Sequence, residues 1–315
     1  MDRFTLMTIK SSGGNPPTNP LSFTEISNEF GLPPNKNLGA YRVDTNIGSL
    51  SELALDSGIP QSGQIKFSDF YSKKLNIVVK CTGGNRATVP YGNNAVVVGG
   101  FKNKPSRNAS AWQGGKKIFI NITGTYSSND ASSSEFALKT GNSSVWPSGT
   151  DMVIDLGSNS KVVGRGGNGG DASGGNGGNG SNGLRYLSGA TLNFNKDIAT
   201  QSNGAYISAG GGGGGAGSRA EQNDWIDRND AEGGGGGGGN GLPAGSGGSG
   251  NDGGSNGNLT NGGSGSEGED DAEAVGGNGG NGGSNGADGG NATGGNNKKE
   301  ENGDGGEGGK ATEAY

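Results

Sequence analysis

The chain has no histidine and a single cysteine, Cys81, in 315 residues. Without imidazole there is no His-based metal site, no Ser-His-Asp triad and no histidine general acid or base. One cysteine excludes an internal disulfide, and Cys81 reads as a small buried hydrophobe. Apolar residues make up 27% of the chain, far below the near-half share of ordinary domains, so no large oily core is available. Long hydrophobic runs are missing too. The start, Met1-Asp2-Arg3-Phe4-Thr5-Leu6, reads as neither a signal peptide nor a membrane span. Proline is scarce where glycine is dense. Of the ten prolines only Pro243 lies beyond Ser160, which excludes a collagen helix. Positive charge is scarce there as well. Residues 161–315 hold 19 acidic and 9 basic side chains, net −10, against 11 and 15, net +4, before them; together they make the −6 of the whole. An acidic half argues against a nucleic-acid surface.

What is abundant is glycine: 18 of the 73 precede Lys161 and 55 follow. Two patterns recur. Gly-Gly-X repeats with a period of three at 164–171, 174–179, 276–284 and 304–310, and pure glycine runs at Gly210–Gly215 and Gly233–Gly239. A period of three suits a left-handed polyglycine II helix, whose N–H and C=O groups point sideways because none bonds within the helix. Bare backbones can then bond to neighbouring copies. A Gly-Gly-X segment belongs on the outside with X toward water, whereas a pure run can be surrounded, so the two pure runs are expected at the centre. Composition alone also fits a flexible linker. The phased period, and the alternation of one-length tracts with short inserts, favour order.

Residues 1–72 hold little more than short elements. Thr5 to Ile9 suits one strand, the stretch Leu21 to Gly31 a short helix capped by Ser22 or Thr24 and ended at Gly31, and Leu50 to Ala54 a single turn. Stretches 75–81, 95–98, 117–122, 135–138 and 151–156 are β-branched and bounded by turn residues. They predict an antiparallel β neck over 73–163, a sandwich or barrel, with Trp112 and Trp146 walling its core. The expected fold is therefore mostly β plus polyglycine II: a small N-terminal module (1–72), the neck (73–163) and a polyglycine II sandwich (164–315).

Two resemblances bear on this. Phe23-Thr24-Glu25-Ile26, Leu50-Ser51-Glu52-Leu53, Gly58-Ile59-Pro60 and Ser62 to Tyr71 resemble a module of virion proteins of tailed bacteriophages, cyanophages among them. The junction Ser148 to Gly170, and Gly189 to Phe194 followed by Gly204 to Gly210, are similar to the glycine-rich ends of phage tail-fibre and tail-tip adhesins. These resemblances imply a virion location, attachment to other phage tail proteins through residues 1–72, a homotrimer, and recognition of a host cell-surface receptor, an outer-membrane protein or a polysaccharide.

The inserts between glycine tracts carry the varied side chains. Aromatic and arginine side chains are typical anchors of binding surfaces. Trp225 is the first candidate for receptor binding, then Arg228 and Arg219, then Tyr186, with Asp224 and Asp227 in the same insert as the tryptophan. Trp225 and Ile226 also suit a cover over an open lattice edge. The acidic run Glu267 to Glu273 offers oxygen ligands for calcium but lacks EF-hand spacing, and a solvated loop accounts for it better. No P-loop, Rossmann turn or nucleophile–base pair can be named, so neither an enzyme nor a cofactor or metal is expected. The function expected is a phage tail-fibre or tail-tip adhesin. The alternatives are a purely structural tail spacer or collar, and an ice-binding protein, against which the mixed X residues count.

Overall fold

The computed structural model describes residues 20–30, 37–42, 59–60, 62–73, 77–85, 87–88, 97–98, 117–128, 134–146, 150–172, 174–193, 204–223, 228–271, 274–284, 286–296 and 302–314. The expected strand at Thr5 to Ile9, the turn at Leu50 to Ala54 and Trp112 lie outside them.

Near the N-terminus, helix α1 (Phe23–Phe30) starts where Ser22 and Glu25 cap each other. Ser22 N donates to Glu25 Oε2 at 2.8 Å, and Glu25 N donates to Ser22 Oγ at 3.2 Å. Eight residues do not hold a helix in water, so its apolar face must be covered. Phe30, Tyr41 and Phe70 supply the cover, meeting edge-on with centroids 5.7–6.0 Å apart. Short 3-10 helices, Leu38–Tyr41 and Phe67–Phe70, bring in the last two rings. The aromatic group belongs to the same buried cluster as the strands that follow.

Those strands wind in a three-sided coil. The first turn is β1 (Ile77–Cys81), β2 (Gly84–Asn85) and β3 (Ala87–Thr88); β4 (Val97–Val98) lies on β1. The second turn is β5 (Lys117–Ile122), β6 (Thr125–Ser127) and β7 (Phe136–Lys139). The third is β8 (Asp151–Leu156), β9 (Lys161–Val163) and β10 (Asn182–Tyr186). The fourth is β11 (Thr191–Asn193), β12 (Tyr206–Ser208) and β17 (Thr312–Ala314). Each turn places one strand in each of three sheets, ordered β11-β8-β5-β1-β4, β12-β9-β6-β2 and β17-β10-β7-β3.

The antiparallel neck is thus corrected. All pairs within the coil are parallel; β4 on β1 is the antiparallel one. The reason lies in the corners. A chain that turns a corner after each strand enters a new sheet and regains the first only one full turn later, running the same way. The other two strands serve as the crossover that parallel pairing requires. At the corner after β1, Thr123 N donates to Cys81 O at 2.8 Å, and Gly157 N repeats this onto Ile122 O at 2.8 Å. A Cβ on Gly124 would lie 1.8 Å from Thr82 O, so this stacked corner admits only glycine there.

Inside the coil, side chains stack in register: Val79 on Ile120 on Ile154 on Leu192, Cys81 on Ile122 on Leu156, Tyr126 on Val162 on Ile207, and Leu138 on Leu184. Each buried Ile or Leu contributes roughly 1.5–3 kcal/mol. Trp146 is buried beside them, its Nε1 donating to Thr140 O at 2.7 Å. Burial pushes the Cys81 thiol up to about 11, partly offset by its hydrogen bond with Tyr126. On the outer face Asn121 Nδ2 donates to Asp155 Oδ2 at 3.3 Å, and desolvation raises that carboxyl above its ordinary value.

The glycine segments leave this coil at one corner. Segment 164–181 is inserted between β9 and β10, and 209–311 between β12 and β17. The parallel pairing of β9 with β12 continues into the glycines: Gly164, Gly167 and Gly170 donate to Ser208, Gly211 and Gly214. Along 210–217 the amide donors rotate among three neighbours. Gly210, Gly213 and Ala216 donate to Ser181, Gly178 and Gly175; Gly211, Gly214 and Gly217 to Asn240, Gly237 and Gly234; Gly212 and Gly215 to Ala287 and Gly290. The carbonyls rotate among three more segments: Gly211 and Gly214 accept from Gly167 and Gly170, Gly212 and Gly215 from Gly283 and Gly280, and Gly210, Gly213 and Ala216 from Gly309, Gly306 and Gly303. The run 233–239 is enclosed in the same manner by 164–172, 209–218, 243–250, 254–258, 261–269 and 276–284.

Two outcomes test this packing. A Cβ on Gly213 would lie 1.9 Å from Asn168 O, so Gly213→Ala is expected to cost about 2 kcal/mol or more. On Gly178 the nearest atom is Asn168 N at 3.2 Å, a contact that a backbone shift of a few tenths of an ångström relieves, and Gly178→Ala is expected to cost less than Gly213→Ala in denaturant unfolding. Native Cys81 is expected to resist a thiol reagent at pH 8 and to react once the chain is unfolded.

Candidate functional site

Segment directions define two ends. Segments 164–172, 209–218, 243–250, 261–269 and 286–293 run outward from the coil, and 174–181, 233–241, 254–258, 276–284 and 302–310 run back. Their outer connections therefore gather at the end away from the coil. Two are hairpins, β13 (Ala220–Asn223) with β14 (Arg228–Ala231), and β15 (Asp270–Asp271) with β16 (Ala274–Val275). The hairpins pack against each other.

Hydrogen bonds fix their bases. Ala220 pairs with Ala231, both fully buried. Glu232 N donates to Glu269 Oε2 at 3.1 Å, while Glu269 N donates to Glu232 O at 2.8 Å. Asn296 N donates to Val275 O at 2.9 Å, and its Oδ1 accepts from Val275 N at 2.6 Å. Ser218 N donates to Asn302 Oδ1 at 3.0 Å, and Asn302 Nδ2 donates to Gly294 O. The connections thus rest on a tied platform, not on independent loops.

Arg219 is half-buried immediately before β13. Arg228 opens β14, opposite Asn223. Asp224, Trp225 and Asp227 fall between those two positions, outside the described residues. Tyr186 is not with them. It ends β10 inside the coil, half-buried against the core, beside Arg185, which lies over the Phe136 ring and 3.6 Å from Glu313. The sequence marks 184–187 as an insert because it interrupts glycine, yet β7, with Phe136 and Leu138, pairs with it as a strand. The described part of the acidic run spends Glu269 on the Glu232 backbone, and no group of three metal-ligating side chains occurs among the described residues.

Sequence reasoning missed the two hairpins and the role of X. The paired alanines that border the insert, Ala220 and Ala231, are the signal for the first. As for X, the side chain does not simply face water. Asn168 Oδ1 accepts from Ser246 N at 3.2 Å while Gly169 N donates to Ser246 O at 2.8 Å. Asn176–Gly177 grips Asp304, Asn179–Gly180 grips Glu307 and Asn182–Gly183 grips Lys310 in the same way. Asp171–Ala172 does so on Ser249. Where segments run antiparallel the grip spans two residues: Asn281 Oδ1 accepts from Gly265 N, and Gly282 N donates to Gly263 O. X thus supplies an acceptor for outer N–H groups that no further segment covers.

The bundle is held along its length by backbone hydrogen bonds, and its outer connections are collected at one end. Residues 89–315 match the family described as phage tail fibre adhesin Gp38, and the chain belongs to that family. The family places it in the virion tail fibre, as an adhesin. No curated protein matches it in sequence. Among solved structures it is similar to the gp37-gp38 adhesin tip complex of the bacteriophage S16 long tail fiber, with 19% identity, TM-score 0.38, and coverage of 94% of this chain and 93% of that one.

Asn168→Ala removes the acceptor for Ser246 N and is expected to cost about 1 kcal/mol. Asn168→Asp keeps an oxygen there, as Asp171 does for Ser249, and is expected to melt with the parent in calorimetry at pH 7.

Proposed function

We propose that the chain recognises the bacterial host surface through the outer connections, displayed on a polyglycine II sandwich. The observation that carries this is the segregation just described. Backbone pairing runs along the glycine segments, and the two hairpins, with Arg228 and acidic residues on their strands, stand at one end. The rotation of donors and acceptors every three residues supports polyglycine II geometry. Recognition is reversible, with no bond made or broken, and the partner is an outer-membrane protein or a polysaccharide. Trp225, Arg228 and Arg219 lead the contact, with Asp224 and Asp227 beside them. Tyr186 has a separate place in the coil and is not part of this contact.

Residues 1–72 join the chain to another tail protein; the coil runs past the expected boundary at 163, with β10, β11, β12 and β17 among its strands, and the glycine segments 164–181 and 209–311 are inserted into it. The resemblance implies a homotrimer. One chain, however, supplies all three faces of the coil, and this supports a single copy closing the end of a fibre.

Trp225→Ala, Arg228→Ala and Arg219→Ala are each expected to slow adsorption to host cells at least about tenfold, about 1.4 kcal/mol of binding, with the melting temperature unchanged. Unchanged adsorption after deletion of 218–232, together with particles that fail to assemble without the protein, would establish the spacer reading instead.

A further inference from the structure

Asn-Gly is the dipeptide most prone to spontaneous loss of its side-chain amide, and the glycine half is full of it. In that reaction the glycine nitrogen attacks the asparagine carboxamide carbon. A C–N bond forms, the nitrogen gives up its proton, and ammonia leaves. Water then opens the cyclic imide to aspartate or to isoaspartate. Glycine favours the step because no side chain hinders its nitrogen.

We propose that these dipeptides are latent modification sites which the lattice holds unreactive. Both reacting groups are committed to a neighbouring segment. At Asn168–Gly169, Asn176–Gly177, Asn179–Gly180 and Asn182–Gly183 the nucleophilic N–H donates to one backbone carbonyl, at 2.8–2.9 Å. The carboxamide oxygen accepts from the N–H of that same residue, at 2.6–3.2 Å. Cyclisation must break both bonds and swing the carboxamide back onto its own chain. The glycines cannot shift to assist: a Cβ on Gly169, Gly177 or Gly180 would already lie 1.9–2.1 Å from another segment's carbonyl, so each backbone is wedged.

The two products differ for the lattice. Aspartate keeps the accepting oxygen, as Asp171 and Asp288 already show on Ser249 and Gly308. Isoaspartate adds a carbon to the backbone and shifts every later residue out of the three-residue register. The grip therefore protects the pairing that creates it.

The test is peptide mapping by mass spectrometry of the full-length protein, aged at pH 8 and one temperature, folded in buffer or unfolded in denaturant. An isoaspartate-specific methyltransferase provides the second readout. The four named asparagines are expected to convert at least about tenfold more slowly in the folded protein, the factor that about 1.4 kcal/mol of local opening supplies. Methyl labelling of the peptides that carry those four sites is expected to rise correspondingly faster in the unfolded sample. Equal conversion rates in the two samples would overturn the proposal. So would slow conversion in the folded sample that persists in the unfolded one.

Discussion

Backbone hydrogen bonding between bare segments is the interaction on which the glycine half depends. An ordinary domain pairs its backbone within helices and sheets and then buries side chains to hold those elements together. Here the two tasks merge. Segment 210–217 offers three donors and three acceptors per turn, and six different segments receive them. Nothing larger than the methyl of Ala216 enters such a contact. This is why 55 glycines can be ordered despite the entropy each one loses.

The coil and the lattice are one continuous system of pairing. β9 and β12 run parallel, and the segments that leave them stay parallel for as long as hydrogen bonds are recorded between them. β10 and β17 receive the returning segments 174–181 and 302–310, themselves bonded in register through Gly177, Gly180 and Gly183. The coil sets where the glycine excursions start and end. Its stacked Ile, Val and Leu residues are where the chain's few apolar side chains go. A low apolar share is then sufficient, because hydrophobic burial is needed only at the base.

The outer surface of such a lattice has a particular problem: half-enclosed segments leave N–H groups without a neighbouring strand. Asn, Asp and Ser at the third position answer it by lending an oxygen sideways, at Asn168, Asp171, Asn278 and Ser284 among others. The same substitution at the centre is excluded by the carbonyls 1.8–2.0 Å from any added Cβ at Gly210, Gly213 and Gly236. Composition therefore encodes depth in the bundle. Pure glycine marks the inside and Gly-Gly-Asn the outside.

Local pattern sufficed for several features. A helix cap at Ser22 or Thr24, the strands at 117–122 and 151–156, burial of Cys81 and Trp146, and the central place of the two pure glycine runs follow from residue type and spacing alone. These are properties of one segment and its own neighbours in sequence. Strand direction was not of that kind. The same apolar runs and turn residues suit a hairpin or a coil, and only contacts between Cys81 and Thr123, or Ile122 and Gly157, distinguish them. Nor could spacing tell that Tyr186 pairs with Ala314 in a sheet of the coil while Arg228 stands on a hairpin at the far end. Sequence by itself determined which backbones are bare enough to touch. Tertiary structure decided which of them do, because a glycine has no side chain to specify its partner and the choice falls to the register inherited from the strands.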